Sequence, residues 1–365
     1  MNMDQKYQNL FERLKHYMEL SAISRFEETI VDNLKLGIKV GSFEISRDKL
    51  GSVIFYKKSK KVNAPKVMIA AHMDEVGYMV RSIKDNGNLM VTPIGGIWPS
   101  TVIGTKAIVI SSETKQQFVG VFGHTSIHII TNEKYKAAMT NDELYVDLGF
   151  KTKKEVEEHK INIGDQILMT GETVQLANNL VGGKAMDNRA GVTSLEFIAN
   201  NVADLDLDCD LYLVGTVQEE VGTRGARTAV QIINPDIAFA LDTGAAHDTT
   251  GAKEGTPVLG NGVSVLVKDG GTLPDPKLIK YLFEISKKHN IPAYKYVAGG
   301  GGTDAAELQF APGGAAVMTI SIPQRYLHSP IGVVSLIDIQ ATIDLLTEFI
   351  KDLSPEKYQD RLQYK

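Results

Sequence analysis

Four short apolar runs in this sequence each lead to a side chain that can bind a metal ion. Runs of this length suit strands buried on both faces, as in a parallel sheet with helices on either side. They are 66–71 before His72 and Asp74, 211–217 before Glu219 and Glu220, 237–241 before Asp242, and 315–322 before His328. Functional residues of open α/β sheets lie at the carboxyl ends of the strands. We therefore expect an α/β fold in which these side chains meet.

The adjacent acids Glu219 and Glu220 are the feature of these runs that most needs an explanation. Neighbouring glutamates usually form part of a solvated surface, but at the end of a buried strand two like charges require cations. On an extended strand they would face opposite ways, and a turn could bring both toward one site. One can then bind a metal while the other accepts a proton from water and passes it to a leaving amine.

Composition narrows the class of protein. A chain of 365 residues, 43% hydrophobic and 23% charged, suits a large core and two domains. The net charge of -5 argues against a nucleic-acid partner. The single cysteine, Cys209, cannot form an internal disulfide, which fits a reducing compartment. Residues 1–20 lack the apolar core of a secretory signal, and no run approaches the ~20 apolar residues of a membrane span. We expect a cytoplasmic protein with no membrane partner.

The order of patterns along the chain predicts two domains. Apolar residues at helical spacing predict a first helix, and Ser24 with Glu27 reads as a capping box for a second. Between residues 75 and 173, short apolar runs alternate with turn signals, including a hairpin around Asn86-Gly87. Helices are predicted over 188–200, 276–289 and 337–352. We predict a three-layer α/β domain, residues 1–74 plus 174–365, interrupted by a barrel-like β-rich insertion, residues 75–173.

Asp187 completes the candidate ligand set, although an aspartate near the start of a helix is also explained as an N-cap. The candidates are His72, Asp187, Glu220, Asp242 and His328. A single tetrahedral zinc cannot take them all. They suit two divalent ions that share a bridging carboxylate about 3.5 to 4 Å apart. Nitrogen and oxygen donors fit Zn(II), Co(II) or Mn(II). Asp74 and His72 are two apart on a strand and share a face, so Asp74 is expected to orient the imidazole rather than bind metal.

Several segments together resemble the M42 family of metallo-aminopeptidases, which includes glutamyl aminopeptidases, deblocking aminopeptidases and the tetrahedral TET peptidases. The segments are His72-Met73-Asp74-Glu75-Val76-Gly77, Ala185-Met186-Asp187-Asn188-Arg189-Ala190-Gly191, Gln218-Glu219-Glu220-Val221-Gly222, Arg224-Gly225-Ala226, Leu241-Asp242, Gly300-Gly301-Gly302-Thr303-Asp304-Ala305 and Tyr326-Leu327-His328-Ser329. They follow the family's order over nearly the whole chain.

The resemblance implies a role for each site residue. His72 and Asp242 would bind one ion, Glu220 and His328 the other, and Asp187 would bridge them. Glu219 would be the general base, and Asp74 would be the partner that orients His72. The insertion would be a dimerisation domain, through which dimers build a twelve-subunit tetrahedron. The sequence departs from the family in the insertion, where His124-Thr125-Ser126-Ile127-His128 replaces the usual Pro-Pro-His.

Other conspicuous residues have plainer explanations. His124 and His128 are expected to be ordinary strand residues, and 299–302 a glycine-rich turn. Trp98 is expected to pack in the insertion or at an interface. Lys184, Arg224, Arg227 and Arg325 could bind a substrate carboxylate or simply balance the acidic site.

The leading functional hypothesis is an aminopeptidase that acts on peptides. A glycosidase is the first alternative, because paired carboxylates also hydrolyse sugars, and loss of activity on chelation would separate the two. A non-catalytic assembly protein is the second. Within the hydrolases, deblocking and carboxypeptidase activities differ in the terminus that is recognised, and the sequence leaves this choice and the residue preference open.

Overall fold

The computed structural model describes residues 3–364 and contains strands throughout most of the chain. The strands are β1 Glu44–Arg47, β2 Val53–Lys57, β3 Lys66–His72, β4 Gly77–Ile83, β5 Leu89–Ile94, β6 Lys106–Ile110, β7 Gln117–Gly123, β8 Tyr145–Asp147, β9 Gln166–Met169, β10 Val174–Gln175, β11 Leu180–Gly183, β12 Asp210–Thr216, β13 Ile237–Ala245, β14 Val263–Lys268, β15 Ala293–Val297, β16 Ala316–Arg325 and β17 Gly332–Ser335.

Helices lie between the strands, and five short 3₁₀ turns connect other segments. The helices are α1 Gln8–Glu19, α2 Glu28–Gly37, α3 Asn132–Lys136, α4 Lys153–Glu158, α5 Met186–Val202, α6 Arg224–Ile233, α7 Pro276–His289, α8 Ala305–Leu308, α9 Leu336–Asp352 and α10 Pro355–Arg361. The helices predicted over 188–200, 276–289 and 337–352 are confirmed as α5, α7 and α9. Among the described residues, none of the helices combines the length and the apolar character that a membrane crossing requires.

An 11-stranded sheet forms the frame of the larger domain. Its central strands β12, β3, β13 and β16 are neighbours and run parallel, in the register Thr216 opposite His72, Leu241 opposite Ala71, and Asp242 opposite Ser321. The four apolar runs of the sequence are these four strands. Because their carboxyl ends lie side by side, the polar residues that follow them are brought to one edge of the sheet, as predicted.

Alternate side chains of the central strands pack on opposite faces of the sheet. Ile69 and Leu213 belong to the core formed with α1, α5 and α9, whereas Met68 and Val214 pack with α6 and α8. This period of two, with apolar residues in both sets, explains why the strands appear in the sequence as continuous apolar runs. The predicted three-layer α/β architecture is confirmed.

Strands β4 to β9 form a separate closed barrel, in the order β4-β5-β8-β7-β6-β9. It has its own apolar core, which includes Tyr78, Phe122 and Ile167. The predicted hairpin is β4 with β5, and Gly87 in its turn has φ 86°, a conformation that favours glycine. The barrel that the sequence indicated is therefore present, and it lies within residues 75–173.

The predicted capping box before α2 is wrong. The helix begins at Glu28, and Glu27 at its N-cap makes no capping hydrogen bond. The Ser24 hydroxyl instead donates to Asp74 Oδ2 at 2.6 Å, and Glu27 Oε1 accepts the N–H groups of Arg25 and Gln218. These two side chains face the carboxyl edge of the sheet. Their tertiary partners there, Asp74 and Gln218, replace the local capping interaction.

Candidate metal centre

The carboxyl edge of the sheet brings the five predicted ligands into two groups that share Asp187. His72, Asp187 and Asp242 form one group, and Asp187, Glu220 and His328 form the other. Within each group one potential ligand atom per residue lies within 4.8 Å of the others. The five side chains come from the ends of four different strands and from the start of α5, so the fold alone brings them together.

Asp187 faces an imidazole with each of its carboxylate oxygens. Oδ1 lies 3.0 Å from His72 Nε2, and Oδ2 lies 3.2 Å from His328 Nε2. His72 Nε2 is also 3.3 Å from Asp242 Oδ1, and His328 Nε2 is 3.4 Å from Glu220 Oε2. Asp187 is therefore the midpoint of the cluster, with one histidine and one further carboxylate on each side.

Asp187 is not the N-cap of α5. Its backbone, at φ -80° and ψ 107°, is extended, and its carboxylate contacts histidines. The backbone of Asn188 is also non-helical, so the regular part of α5 begins after it, and Asn188 caps this part because its Oδ1 accepts the N–H of Gly191 at 2.9 Å. The Asn188 amide also donates to the carbonyl of Leu241 at 2.7 Å, which ties the start of α5 to strand β13 beside Asp242.

Backbone carbonyls fix both histidine rings. His72 Nδ1 lies 3.1 Å from the carbonyl oxygen of Asp74, and His328 Nδ1 donates to the carbonyl of Gly96 at 2.7 Å. In each ring this leaves Nε2 to face the carboxylates. The Asp74 carboxylate was expected to hold His72, but its Oδ1 is 3.6 Å from Nδ1, too long for a hydrogen bond. It acts on His72 as a nearby charge, while the main chain makes the closer contact.

Burial and crowding of like charges perturb the acids strongly. Burial, followed by the charges of Asp242, Asp304 and Glu220, raises the pKa of Glu219 well above its usual range. Burial and then the charge of Asp187 raise the pKa of Glu220 in the same direction. Both glutamates therefore resist ionisation unless positive charge is brought close to them.

The bridging aspartate and the histidines shift in the opposite sense. Burial opposes ionisation of Asp187, but hydrogen bonds from His328 and His72 outweigh it and lower the pKa of Asp187. Burial would lower the pKa of His72, yet the charge of Asp242 and the hydrogen bonds with the neighbouring aspartates raise it well above the ordinary value. The two imidazoles are therefore the basic groups that lie among these acids.

Of the acidic pair, only Glu220 belongs to a ligand group. Its Oε2 faces His328, and its Oε1 is buried without a hydrogen-bond partner among the described residues. Glu219 lies beside the cluster, where the charge of His72 lowers its pKa and those of Asp242 and Asp304 raise it. The turn after β12 thus gives the two glutamates different surroundings.

Asp304 is a residue of this region that sequence reasoning did not single out. It is buried, it accepts a hydrogen bond from the Thr216 hydroxyl, and its Oδ1 has no hydrogen-bond partner within residues 3–364. Burial and the charges of Asp242 and Asp74 raise the pKa of Asp304 to about 7. The signal available in the sequence was an acid two residues after the glycine-rich turn 299–302.

The basic residues near the motifs are engaged in ion pairs or hydrogen bonds. Lys184 Nζ lies 2.8 Å from Glu75 Oε2, and the fully buried Arg189 lies 2.9 Å from Glu75 Oε1. Arg224 donates to Gln218, and two further arginines pair with acids, Arg227 with Glu307 and Arg325 with Asp248. These contacts favour the charge-balancing explanation over a substrate-carboxylate site.

The two histidines that the sequence offers in the insertion do not join the ligand groups. His124 and His128 are exposed and belong to neither group. The expectation that they are strand residues is wrong, because His124 follows the end of β7 and His128 lies in the 3₁₀ turn Ile127–Ile129. Trp98 is 68% exposed. The glycine-rich segment 299–302 is an irregular connection, as expected.

The donor set fits two divalent cations. Imidazole nitrogen and carboxylate oxygen are ligands of Zn(II), Co(II) and Mn(II), and a carboxylate between two donor groups is the usual bridge of a paired site. Among the described residues Glu220 Oε1 has no hydrogen-bond partner, and the charges of neighbouring acids oppose ionisation of Glu220. Two divalent ions would supply both a partner for this oxygen and the positive charge that the acids need.

Comparison with known proteins leads to the family that the sequence motifs resemble. The model of the M42 glutamyl aminopeptidase family matches residues 51–345. A glutamyl aminopeptidase of Lactococcus lactis is 33% identical over 359 residues, which are 97% of this chain and 99% of the relative.

Two solved structures share the fold over nearly their whole length. An aminopeptidase from the archaeon Desulfurococcus kamchatkensis superimposes with a TM-score of 0.92 at 34% identity, covering 99% of both chains. The TET1 peptidase of Pyrococcus horikoshii, which can assemble into a tetrahedron or a large octahedral shell, has a TM-score of 0.84 at 27% identity, covering 94% of this chain and 100% of the other.

The fold and the family match together define a peptidase of the metal-dependent class. The chain belongs to the M42 family of aminopeptidases, as its sequence motifs indicated.

Proposed function

We propose that this protein is a dinuclear metallo-aminopeptidase that removes N-terminal residues from peptides. The placement of Asp187 carries the proposal, because its two oxygens face His72 and His328 at 3.0 and 3.2 Å, the arrangement of a bridging carboxylate between two metal positions. His72 and Asp242 would hold one ion, and His328 and Glu220 the other.

The metal ions have a defined contribution. When bound, two divalent cations supply Lewis-acid stabilisation for an attacking water and for the negative charge that develops on the scissile carbonyl oxygen. The remaining steps belong to groups of the protein. Zn or Co is the expected metal, with Mn as a further possibility from the same donor chemistry.

Glu219 is the proposed general base. Its carboxylate accepts a proton from water as the water oxygen bonds to the scissile carbon, and then delivers that proton to the amine nitrogen as the carbon–nitrogen bond breaks. Burial supports this role, because it raises the pKa of Glu219 and so makes its carboxylate a stronger proton acceptor. Asp74 orients the turn that carries Glu219, since Asp74 Oδ1 accepts the N–H of Glu219 at 3.0 Å.

The charge balance of the site favours a free N-terminus over a C-terminus. Six acidic side chains surround it, and once bound cations favour their ionisation their combined charge exceeds that of two divalent ions; they are Asp74, Asp187, Glu219, Glu220, Asp242 and Asp304. The nearest buried cations, Lys184 and Arg189, are paired with Glu75. The site therefore attracts an α-ammonium group. Lys184 and Arg189 already pair with Glu75, so neither is available to a substrate carboxylate.

The barrel is proposed to be the dimerisation domain, and the protein to form homo-oligomers up to a dodecamer. The related TET1 peptidase supports this proposal through its own closed assemblies. Sedimentation-velocity measurement of the mass in solution distinguishes a monomer, a dimer and a twelve-subunit particle.

The function is tested with Glu219→Gln. The substitution removes the base and keeps the side-chain size, so turnover of aminoacyl chromogenic substrates should fall by about two to four orders of magnitude while the metal content stays unchanged. Glu113→Gln, at an exposed barrel turn, is the matched control. Near wild-type turnover in the Glu219 variant would exclude the assignment. The same substrate panel reveals the residue preference, and hydrolysis of a polysaccharide that survives chelation would instead indicate a glycosidase.

A further inference from the structure

The turn that carries Glu219 and Glu220 leaves strand β12 through an unusual backbone conformation. Gln218 has φ 57°, in the left-handed region that non-glycine residues rarely adopt. Such a conformation persists only when surrounding contacts determine it. The turn's carbonyls accept backbone N–H groups of residues 222–225, and side chains from outside the turn contact the backbone N–H groups of residues 218–220.

Carboxylates accept all three of these successive N–H groups. Gln218 N–H donates to Glu27 Oε1 at 3.0 Å, Glu219 N–H to Asp74 Oδ1 at 3.0 Å, and Glu220 N–H to Asp74 Oδ2 at 3.2 Å. Hydrogen bonds from N–H groups to ionised or buried carboxylates are among the stronger ones in proteins. The direction in which the Glu219 side chain leaves the turn depends on these acceptors.

Glu27 and Asp74 are themselves held in place. The Ser24 hydroxyl donates to Asp74 Oδ2 at 2.6 Å, and Glu27 Oε1 also accepts the N–H of Arg25 at 2.8 Å. Ser24 and Glu27 are each only 5% exposed, although they belong to the connection between α1 and α2. A bridge between Ile23 and Glu75 attaches that connection to the segment after β3. One side of the turn is thus fixed by a part of the chain outside the sheet.

We propose that Ser24 and Glu27 are positioning residues of the peptidase reaction, which act by holding the backbone of Gln218 and the carboxylate of Asp74 so that Glu219 points at the attacking water. The inference rests on the proposed role of Glu219 as general base. It assigns a function to the segment 24–27, where Ser24 hydrogen-bonds to Asp74 and Glu27 to the Gln218 backbone, neither of which is one of the five proposed ligands.

Glu27→Ala and Glu27→Gln provide the main test. Alanine removes the acceptor of the Gln218 N–H. The kcat should therefore fall about 10- to 100-fold, which is the cost of a small misplacement of a catalytic group. The KM should stay within about threefold of the wild-type value, and the metal content should not change. Glutamine keeps an Oε1 acceptor and should restore most of kcat. Glu28→Ala is the matched control, because Glu28 is an exposed neighbour that pairs with Arg47.

Hydrogen exchange provides a readout that does not depend on activity. Amides of the segment 217–225 should exchange faster in Glu27→Ala than in the wild type, whereas those of α9 should not change. Ser24→Ala removes one donor to Asp74 and should give a smaller loss of kcat. This variant tests the positioning role if Glu27→Ala does not fold.

The outcomes separate this inference from the proposed function. Full kcat and unchanged exchange in Glu27→Ala or Ser24→Ala, together with an inactive Glu219→Gln, would overturn the positioning role alone. Equal impairment of Glu27→Gln and Glu27→Ala would also overturn it, because an acceptor would then not suffice. An active Glu219→Gln would instead overturn the proposed function.

Discussion

Gly96 accepts a hydrogen bond of 2.7 Å from His328 Nδ1 through its backbone carbonyl. Gly96 follows strand β5 of the barrel, whereas His328 follows strand β16 of the large sheet. The barrel therefore orients one of the proposed metal ligands, and the candidate centre depends on both folded units rather than on the sheet alone. Orientation of a ligand histidine by a carbonyl sets which ring nitrogen faces the metal.

Removal of single ligands should change the number of bound metal ions in a graded way. His328→Ala leaves His72, Asp187 and Asp242 as a group, so we expect loss of about one of two ions. Asp187→Ala removes the residue common to both groups and should weaken both by about tenfold or more. Elemental analysis after dialysis against Co(II) or Zn(II) measures this. His128→Ala, at an exposed histidine, should retain the wild-type content, and equal retention in Asp187→Ala would contradict the bridging role.

The metal-free protein should lose stability as the pH rises. The pKa values of Glu219 and Glu220 are raised in the folded state, so folding takes up protons above their ordinary value of 4.5. The raised pKa of His72 has the same sign, since its contribution is present below 6.5 and is lost as the pH rises through the folded value. The lowered pKa of Asp187 acts oppositely, but only as the pH falls below its ordinary value of 3.8.

Bound metal should reverse this trend, because the ions bind the deprotonated ligands. Guanidinium unfolding of chelated and Co(II)-loaded protein, compared from about pH 5 to about pH 8, measures both slopes. A chelated protein that becomes more stable across this range would contradict the pKa shifts of the acidic pair.

Breaking the buried ion cluster around Glu75 should destabilise the fold. Arg189 is fully buried, pairs with Glu75, and donates to the carbonyls of Tyr17 and Met73. Arg189→Met removes these donors and should cost about 3 to 5 kcal/mol in the free energy of unfolding. Arg81→Met breaks an exposed pair with Asp142 and should cost no more than about 1 kcal/mol. Denaturant titration of both variants provides the comparison, and equal losses would refute the difference.

The sequence was sufficient for the four central strands of the sheet and for the expectation that the candidate ligand residues meet at one edge. Apolar runs such as 237–241 indicate strands buried on both faces, and parallel strands bring the residues after them to one edge. The residues that support the site were harder to find. Ser24 and Glu27 have the spacing of a capping box, and only the arrival of Asp74 and Gln218 in space makes them partners of those groups instead.

The cap at α5 shows the same limit. Asn and Asp are nearly equal as N-caps, so Asp187 and Asn188 could exchange roles on local grounds. The Asp187 carboxylate contacts two histidines from distant strands, so Asn188 provides the cap. Asp304 was missed because its importance comes from the acids that surround it, and these are remote in the chain.

The closure of the six-stranded barrel limits how copies of this chain can associate. A barrel that pairs its last strand with its first has no free strand edge. A second copy therefore cannot extend it by adding a strand, and an assembly through the barrel must use side chains and loops. Val119 and Val121 on β7, 65% and 48% exposed, are apolar side chains on such an outer surface. Selectivity between correct and incorrect contacts then depends on the shape of that surface rather than on backbone hydrogen bonding.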